Sequence, residues 1–387
     1  MFEKAGLQEW ETLVKKQLKT DNYLEILQKE NLEGLEVRPY YHQEVKLLIT
    51  LPKIEENTNL VSEYHEEWEQ DAYAFLLHQN VEDLEDKVLF IDNKALAEHI
   101  LPDDANRYLS LVDVFNSETG ELDANLAKEL LEKGFERSVG VNVSFFQNAG
   151  ASIAQQLGIA LAKTKDLVEK FDSSILDSLV TKIAIGPNYF FEIAKLRAYK
   201  LVFNQLSKEL GEGQLAYIFA ETSLRNKAID DEENNLIRST LELAAGMIGG
   251  ADAVFANNFK MKNPTKLSDE ISFKQQIVLA YESIINVFED AGNGSYYVED
   301  LTQQIAKKAW GYFLELEALG GFSEAMKVGK IQNDIFEQAT EEQKWVSEGK
   351  IKLIGVNLYP TKDITKSIEQ LYSKDKIQAV RWAEAYE

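Results

Sequence analysis

Between Arg137 and Phe259 the chain alternates short, densely apolar runs with longer runs whose apolar residues recur about every three to four positions. The short runs are Ser138–Phe146, Val180–Gly186, Leu215–Ala220 and Asp252–Ala256, and they predict strands. The longer ones, Ala149–Phe171, Asn188–Leu210 and Asp231–Ile248, predict helices. Ile153, Leu157, Ala160 and Leu161 share one helical face, as do Phe190, Ile193, Ala194 and Leu201, with a break at Arg197. The strands start roughly 35–40 residues apart, the length of a βα unit that builds a parallel sheet. Several such units without a doubly-wound nucleotide fingerprint predict a (β/α)8 TIM barrel.

The flanks complete the division. Glu9–Lys29 has amphipathic spacing, with Trp10, Leu13, Val14, Leu18, Leu24 and Leu27 on one side, and Leu35–Tyr41 carries Pro39 and reads as extended. Residues 1–60 are therefore expected to be an N-terminal arm, folded over its own barrel or wrapped onto a partner. Its aromatics, Trp10, Tyr23, Tyr40 and Tyr41, are of the kind enriched at interfaces. The barrel is expected over 61–345. Val61–Leu84 is ambiguous between two short helices and a strand–helix pair. Lys87–Asp92 and Arg107–Phe115 predict strands, with helices at Asn93–Ile100 and Ala124–Lys133. Ser272–Phe288 and Leu301–Leu319 predict helices, and Asp230 and Ser272 stand at capping-box spacing from Glu233 and Gln275. In the C-terminal segment, 346–387, Lys350–Asn357 reads as a late strand and Asp363–Ala385 as a helix capped by Asp363.

Composition narrows the chemistry. A net charge of −24 argues against nucleic acid and against anionic lipid. With no cysteine there is no thiolate zinc site, disulfide or cysteine nucleophile. No apolar run approaches a membrane span and no signal peptide is visible, so the expectation is a soluble cytoplasmic protein. All four histidines, His42, His65, His78 and His99, precede the βα repeats, which leaves the repeats without the commonest acid–base residue.

A barrel carries function at the carboxyl ends of its strands. Asp92, Asn142, Gln147, Glu221 and Asn257 fall there, and Arg225 follows the third of the predicted repeats' strands. Asp92 and Glu221 have the makings of an acid–base pair, but no cation is fixed beside either in sequence, which favours capping or solvation. Arg225 and Lys227 read more readily as a solvated loop than as an anion site. Gly292-Asn-Gly-Ser295 lacks the basic residue of a phosphate cradle. No metal-spaced set including histidine is visible, so a dedicated metal site is not expected.

Several collinear stretches resemble the methylmalonyl-CoA mutase family: Phe146-Gln-Asn-Ala-Gly-Ala151, Gly186-Pro-Asn through Lys195-Leu-Arg-Ala198, Ala220-Glu-Thr-Ser223, Gly249-Gly-Ala-Asp-Ala253, Asp290-Ala-Gly-Asn-Gly-Ser through Thr302, Ala309-Trp310 with Glu315-Leu-Glu317, and Leu353-Ile-Gly-Val-Asn357. The resemblance implies a substrate-binding TIM barrel. In the family's catalytic chains acyl-CoA threads the barrel, while a separate domain holds adenosylcobalamin for the radical interconversion of methylmalonyl-CoA and succinyl-CoA. Those chains carry histidines where this sequence has Phe145, Phe219 and Phe255, and Arg-Thr-His where it has Tyr217-Ile218-Phe219. The cobalamin-ligating Asp-x-His-x-x-Gly has no counterpart after His99, and the sequence stops at Glu387, where that domain would begin. The resemblance therefore implies the small, non-catalytic subunit of a heterodimeric mutase. Such a chain binds no cofactor and no metal itself, and adenosylcobalamin resides on the partner large subunit. Turnover as an isomerase then belongs to the complex rather than to this chain alone. Two alternatives stand beside it. One is a homo-oligomeric scaffold or acyl-CoA binder without turnover; the other is an independent barrel enzyme using Asp92 or Glu221.

Overall fold

The computed structural model describes residues 6–42, 50–68, 72–79, 81, 84, 86–100, 102–360 and 363–387. Parts of the expected arm, 1–5 and 43–49, lie outside the described residues. Eight strands, β1 (Asn59–Glu63), β2 (Ala74–Leu77), β3 (Val88–Ile91), β4 (Tyr108–Ser110), β5 (Val139–Asn142), β6 (Leu179–Ile185), β7 (Ile218–Thr222) and β8 (Ala253–Phe255), form one parallel sheet in the order β4-β3-β2-β1-β8-β7-β6-β5. The seam between β4 and β5 is stitched by the Ser110 N–H to the Arg137 carbonyl at 2.8 Å and the Gly140 N–H to that of Val112 at 2.9 Å. The sheet thus curls into a (β/α)8 barrel. Glycine is required at Gly140, because a Cβ there would lie 2.3 Å from the Leu111 backbone.

The helices are α1 (Leu7–Leu18), α2 (Tyr23–Leu27), α3 (Lys94–His99), α4 (Ala124–Glu132), α5 (Ser144–Asn148), α6 (Ile153–Phe171), α7 (Tyr189–Glu209), α8 (Glu233–Ile248), α9 (Lys266–Ile277), α10 (Tyr296–Glu317), α11 (Phe322–Lys327), α12 (Lys330–Ser347) and α13 (Ile368–Leu371). The long α6 begins with a capping box: Ser152 Oγ accepts from the Gln155 N–H, and Gln155 Oε1 from the Ser152 N–H. It crosses α10 closely at Gly158, where a Cβ would meet Tyr312 at 2.8 Å. None of the helices among the described residues is long and apolar enough to cross a membrane.

Several local expectations are corrected. The ambiguous Val61–Leu84 stretch supplies most of β1 and all of β2, with Val61 and the whole of Ala74–Leu77 buried in the sheet. The strand expected over Ser138–Phe146 stops at Asn142, since Ser144–Asn148 coils into α5 beneath α6. The long N-terminal helix divides at Lys19, whose φ is 55°. The helix α9 starts at Lys266, capped by Thr265, and ends in one π turn at Val278–Glu282, so Ser272 sits inside it rather than capping it. Asp230 does not cap α8 either, which begins at Glu233 without a side-chain cap. Lys350–Asn357 is a turn, because the Asn357 side chain bonds the Leu353 N–H and the Ile351 and Val346 carbonyls at 2.6, 2.6 and 2.7 Å. Most of Asp363–Ala385 is irregular, and its backbone bonds other segments: Thr365 to the Ala385 carbonyl, Val380 to that of Asn148, Trp382 to that of Arg225. Leu353, Leu371, Tyr372, Val380 and Trp382 pack there with Ala339 and Val346 of α12 as a satellite core.

The stretch after α2 lies on its own barrel. Leu35 is buried in the main core, the Glu36 N–H reaches Gln304 of α10 at 2.8 Å, and Tyr41 packs on Tyr297 at 5.1 Å. Trp10, Tyr23 and Tyr40 instead pack on one another, Trp10 stacked on Tyr40 at 5.1 Å and edge-on to Tyr23 at 5.9 Å.

Candidate functional site

The inside of the barrel is an apolar plug. Val61, Leu76, Phe90, Leu111, Val180, Phe219 and Phe255 form one buried cluster, with Phe90 and Phe219 at 4.9 Å and Phe219 and Phe255 at 6.2 Å between ring centres. Strand alternation carries the same inward side two residues onward to Glu63, His78, Asp92, Asp113, Lys182, Glu221 and Asn257. A polar rim therefore stands on an aromatic floor. His78 lies between Glu63 at 3.6 Å and Asp92 at 3.8 Å. Lys182 pairs with Glu221 at 3.1 Å, and Glu221 also accepts from the Ser144 hydroxyl. Burial disfavours the Lys182 ammonium, but Glu221 and Asp92 outweigh it and hold its pKa above the usual lysine value.

Beside this rim opens a cavity of about 430 Å³ bounded by Asp92, Phe115, Asn142, Phe145, Lys163 and Lys182. Lys163 reaches in from the middle of α6 and pairs with Asp113. Its ammonium also lies 5.1–5.3 Å from the ring centres of Phe115, Phe146 and Phe322, and donates to the Asn142 carbonyl at 3.2 Å. Lys163 and Lys182 are thus each neutralised by a neighbouring carboxylate, while Lys94 lines the same cavity from the start of α3. An anion entering here would have to compete with Glu221 or Asp113.

A second pocket, about 450 Å³, lies outside the barrel proper, between the loops after β5, β6 and β7, the arm and α12; it is lined by Glu33, Gln147, Asn188, Glu192, Arg225 and Trp345 among others. Glu33 accepts from the Ile153 N–H at 2.8 Å. Burial, with Glu342 and Glu192 nearby, pushes its pKa up to about 8 against that hydrogen bond and Lys195.

The residues expected at the strand ends divide accordingly. Asp92, Asn142 and Glu221 converge on the mouth. Gln147 is instead a prop, accepting at 3.0 Å from the fully buried Lys195 ammonium, which also donates to the Ala184 carbonyl. Arg225 is a clamp between the loop after β7 and the C-terminal segment, bonding Glu342 at 2.7 Å and the Val380 carbonyl at 2.6 Å. Asn257 braces β7 through Thr222. Phe219 and Phe255 lie in the barrel floor, while half-buried Phe145 borders the cavity. Sequence reasoning missed Lys182, Lys163, Asp113, Glu63 and His78. A single charge inside the apolar run Leu179–Ile185 was a legible sign of Lys182, whereas Lys163 looks like any helix lysine until α6 is docked.

In Gly292-Asn-Gly-Ser295 only Gly292 is buried, and it closes over a neighbouring ion cluster. Arg197 bonds Asp290 through Nε at 2.7 Å and Nη2 at 3.1 Å, Glu299 at 3.0 Å and Thr302 at 3.1 Å. Gly292 lets the loop close on it, since a Cβ there would stand 2.9 Å from Arg197 Cδ.

The profile of the family described as methylmalonyl-CoA mutase matches residues 134–385. Methylmalonyl-CoA mutase of Rhizobium meliloti is 32% identical over 57% of this chain and 33% of its own length. Methylmalonyl-CoA mutase small subunit of Porphyromonas gingivalis is 32% identical over 58% of this chain and 38% of its own. A probable methylmalonyl-CoA mutase small subunit of Mycobacterium tuberculosis is 30% identical over 59% and 39%. The matched region spans about a third of the length of these curated relatives.

Proposed function

The chain belongs to the methylmalonyl-CoA mutase family, and we propose that it serves there as a supporting, non-catalytic small subunit beside a large chain that binds acyl-CoA and adenosylcobalamin. The observation that carries this is the barrel floor. Phe219 and Phe255, at positions where the family's catalytic chains carry histidines, pack with Phe90 in an apolar layer. Such a layer offers no group to hold a thioester oxygen or a substrate carboxylate.

The residues present do not fit cobalamin. No histidine stands in residues 100–387. At the mouth, both ring nitrogens of His78 face carboxylates, and His65 lies against Trp68 at 3.9 Å. No step of a reaction is assigned to this chain on that account; its contribution is a rigid barrel that buries a face against the partner. The arm around Trp10, Tyr23 and Tyr40, with Leu24 and Ile26 exposed beside them, is the surface we assign to that contact. The test is to mix the purified chain with the large chain of the same source. One-to-one co-elution on size exclusion is expected; two separate peaks at micromolar concentration would contradict it.

The cavity at the mouth favours a second reading, in which the barrel binds an acyl-CoA or another anion without turnover. Calorimetric titration with methylmalonyl-CoA separates the two, since the supporting-subunit reading expects no heat from this chain alone. An independent enzyme built on Asp92 and Glu221 has less support, as Glu221 is already engaged by Lys182 and Ser144.

A further inference from the structure

Between β1 and α9 lies a void of about 10 Å³, walled by Glu63, Asn258, Asp269 and Gln276 with Trp68 and Phe273. That volume admits one water or one small ion. Its surroundings are rich in acceptors. Glu63, His65 and Asp269 each present a ligand atom within 4.8 Å of the others, and His65 Nε2 stands 3.9 Å from Asp269 Oδ2. His65 Nε2 is buried and has no hydrogen-bond partner among the described residues. Gln276 is fully buried, and its amide is oriented by Nε2 donating to the Val61 carbonyl at 2.9 Å. This leaves Gln276 Oε1 without a partner as well.

We propose that Glu63, His65 and Asp269, with Gln276 beside them, form a binding site for a divalent cation of the zinc or manganese class. One ion bonded at about 2.1 Å to an imidazole nitrogen and carboxylate oxygens brings those atoms to separations of roughly 3–4 Å, near those already in place. Two carboxylates offset the two positive charges, and among the described residues neither is paired with a lysine or arginine. A single water has two hydrogens to give and leaves part of this set unmet. Glu63 and His65 stand two apart where β1 ends, a spacing that puts both on one side of an extended chain. Asp269 is held from α9, with Asn258 donating to its other oxygen. Imidazole among the ligands favours zinc or manganese over magnesium, which prefers oxygen alone. The ion would pin the first strand to the last barrel helix, at a place where no long helix separates β1 from β2.

The test uses the whole chain, stripped with a chelator and titrated with zinc and then manganese chloride by calorimetry, alongside His65→Ala, Asp269→Asn and Glu63→Gln. The last is isosteric, at a side chain 41% exposed, and keeps the test open should another variant fold poorly. The expected result is one ion per chain and a melting temperature raised by the metal. Each variant should weaken binding at least about tenfold and lose the metal-induced rise, while melting near the wild type without metal. Binding that all three variants leave unchanged would reflect the diffuse acidity of a chain with net charge −24 and would overturn the proposal. So would no binding up to about 1 mM of either metal.

Discussion

The two halves of the barrel are built on different terms. In β1–β4 the connections are short, with helices of 6 and 9 residues at α3 and α4, and the strands are held by packed apolar side chains. In β5–β8 the helices α6, α7 and α8 run to 19, 21 and 16 residues and carry charges into the interior. Lys195 and Arg197 of α7, and Lys227 of the loop before α8, are all at most 1% exposed. Lys227 meets Glu242 at 2.6 Å, burial pushing the lysine's pKa down and the glutamate's up. A buried charge stands only if its particular partner is present, whereas an apolar contact accepts many side chains. The family profile begins at residue 134, just before β5. Among the described residues of β1–β4 and the loops between them no lysine or arginine is buried to this degree.

The strongest break to this contrast comes from volume-conserving changes. Arg197→Met leaves Asp290 and Glu299 facing each other without a cation and is expected to cost about 3–5 kcal/mol in urea unfolding. In the first half, Leu89→Met should cost less than about 1.5 kcal/mol. Equal losses would mean that the two halves are held alike. Next comes Phe219→His, which places an imidazole in the apolar floor. It should destabilise by about 1–3 kcal/mol through an unsatisfied imidazole and bring no turnover; a gain of mutase activity in the single variant would undo the reading of the floor.

Smaller effects sharpen the account. Among the described residues the ring contacts of Trp10 are with Tyr23 and Tyr40 of the arm, so Trp10→Ala should weaken binding of the large chain about tenfold while the barrel melts almost unchanged. Parallel losses in pull-down and melt would show the arm to be part of the barrel's own stability. The smallest effect is at Glu33. Its folded pKa is raised to about 8 from 4.5, so between those values the folded chain keeps a proton that the unfolded chain has lost, and stability falls as pH rises through that window. Glu33→Gln should flatten that decline by about 1–2 °C in melting temperature between pH 5 and 8. An unchanged slope would place the titration elsewhere.

How much of this was legible varies with the physics. The second-half units were visible because apolar periodicity there is long and regular. The strands β1 and β2 were not, being 5 and 4 residues long with only a single 3-10 turn, Glu66–Trp68, described between them. Two of the stretches that carry the family resemblance, around Arg197 and around Asp290–Thr302, prove to be two sides of one ion cluster. Their sequence separation hid the contact but not the residue types. Asp92 and Glu221 were legible because they stand at the carboxyl ends of predicted strands; their partners were not, because Lys182 and His78 arrive from other strands. The C-terminal segment misled, since its apolar spacing serves contacts with Arg225 and α12 rather than a helix face.

The most direct measurement is mutase turnover with adenosylcobalamin and methylmalonyl-CoA, assayed for this chain alone, for the large chain of the same source alone, and for the two together. A supporting barrel with a closed aromatic floor predicts no turnover from this chain alone, and turnover with a stable one-to-one complex when both are present. Turnover by this chain alone would contradict the account at its centre.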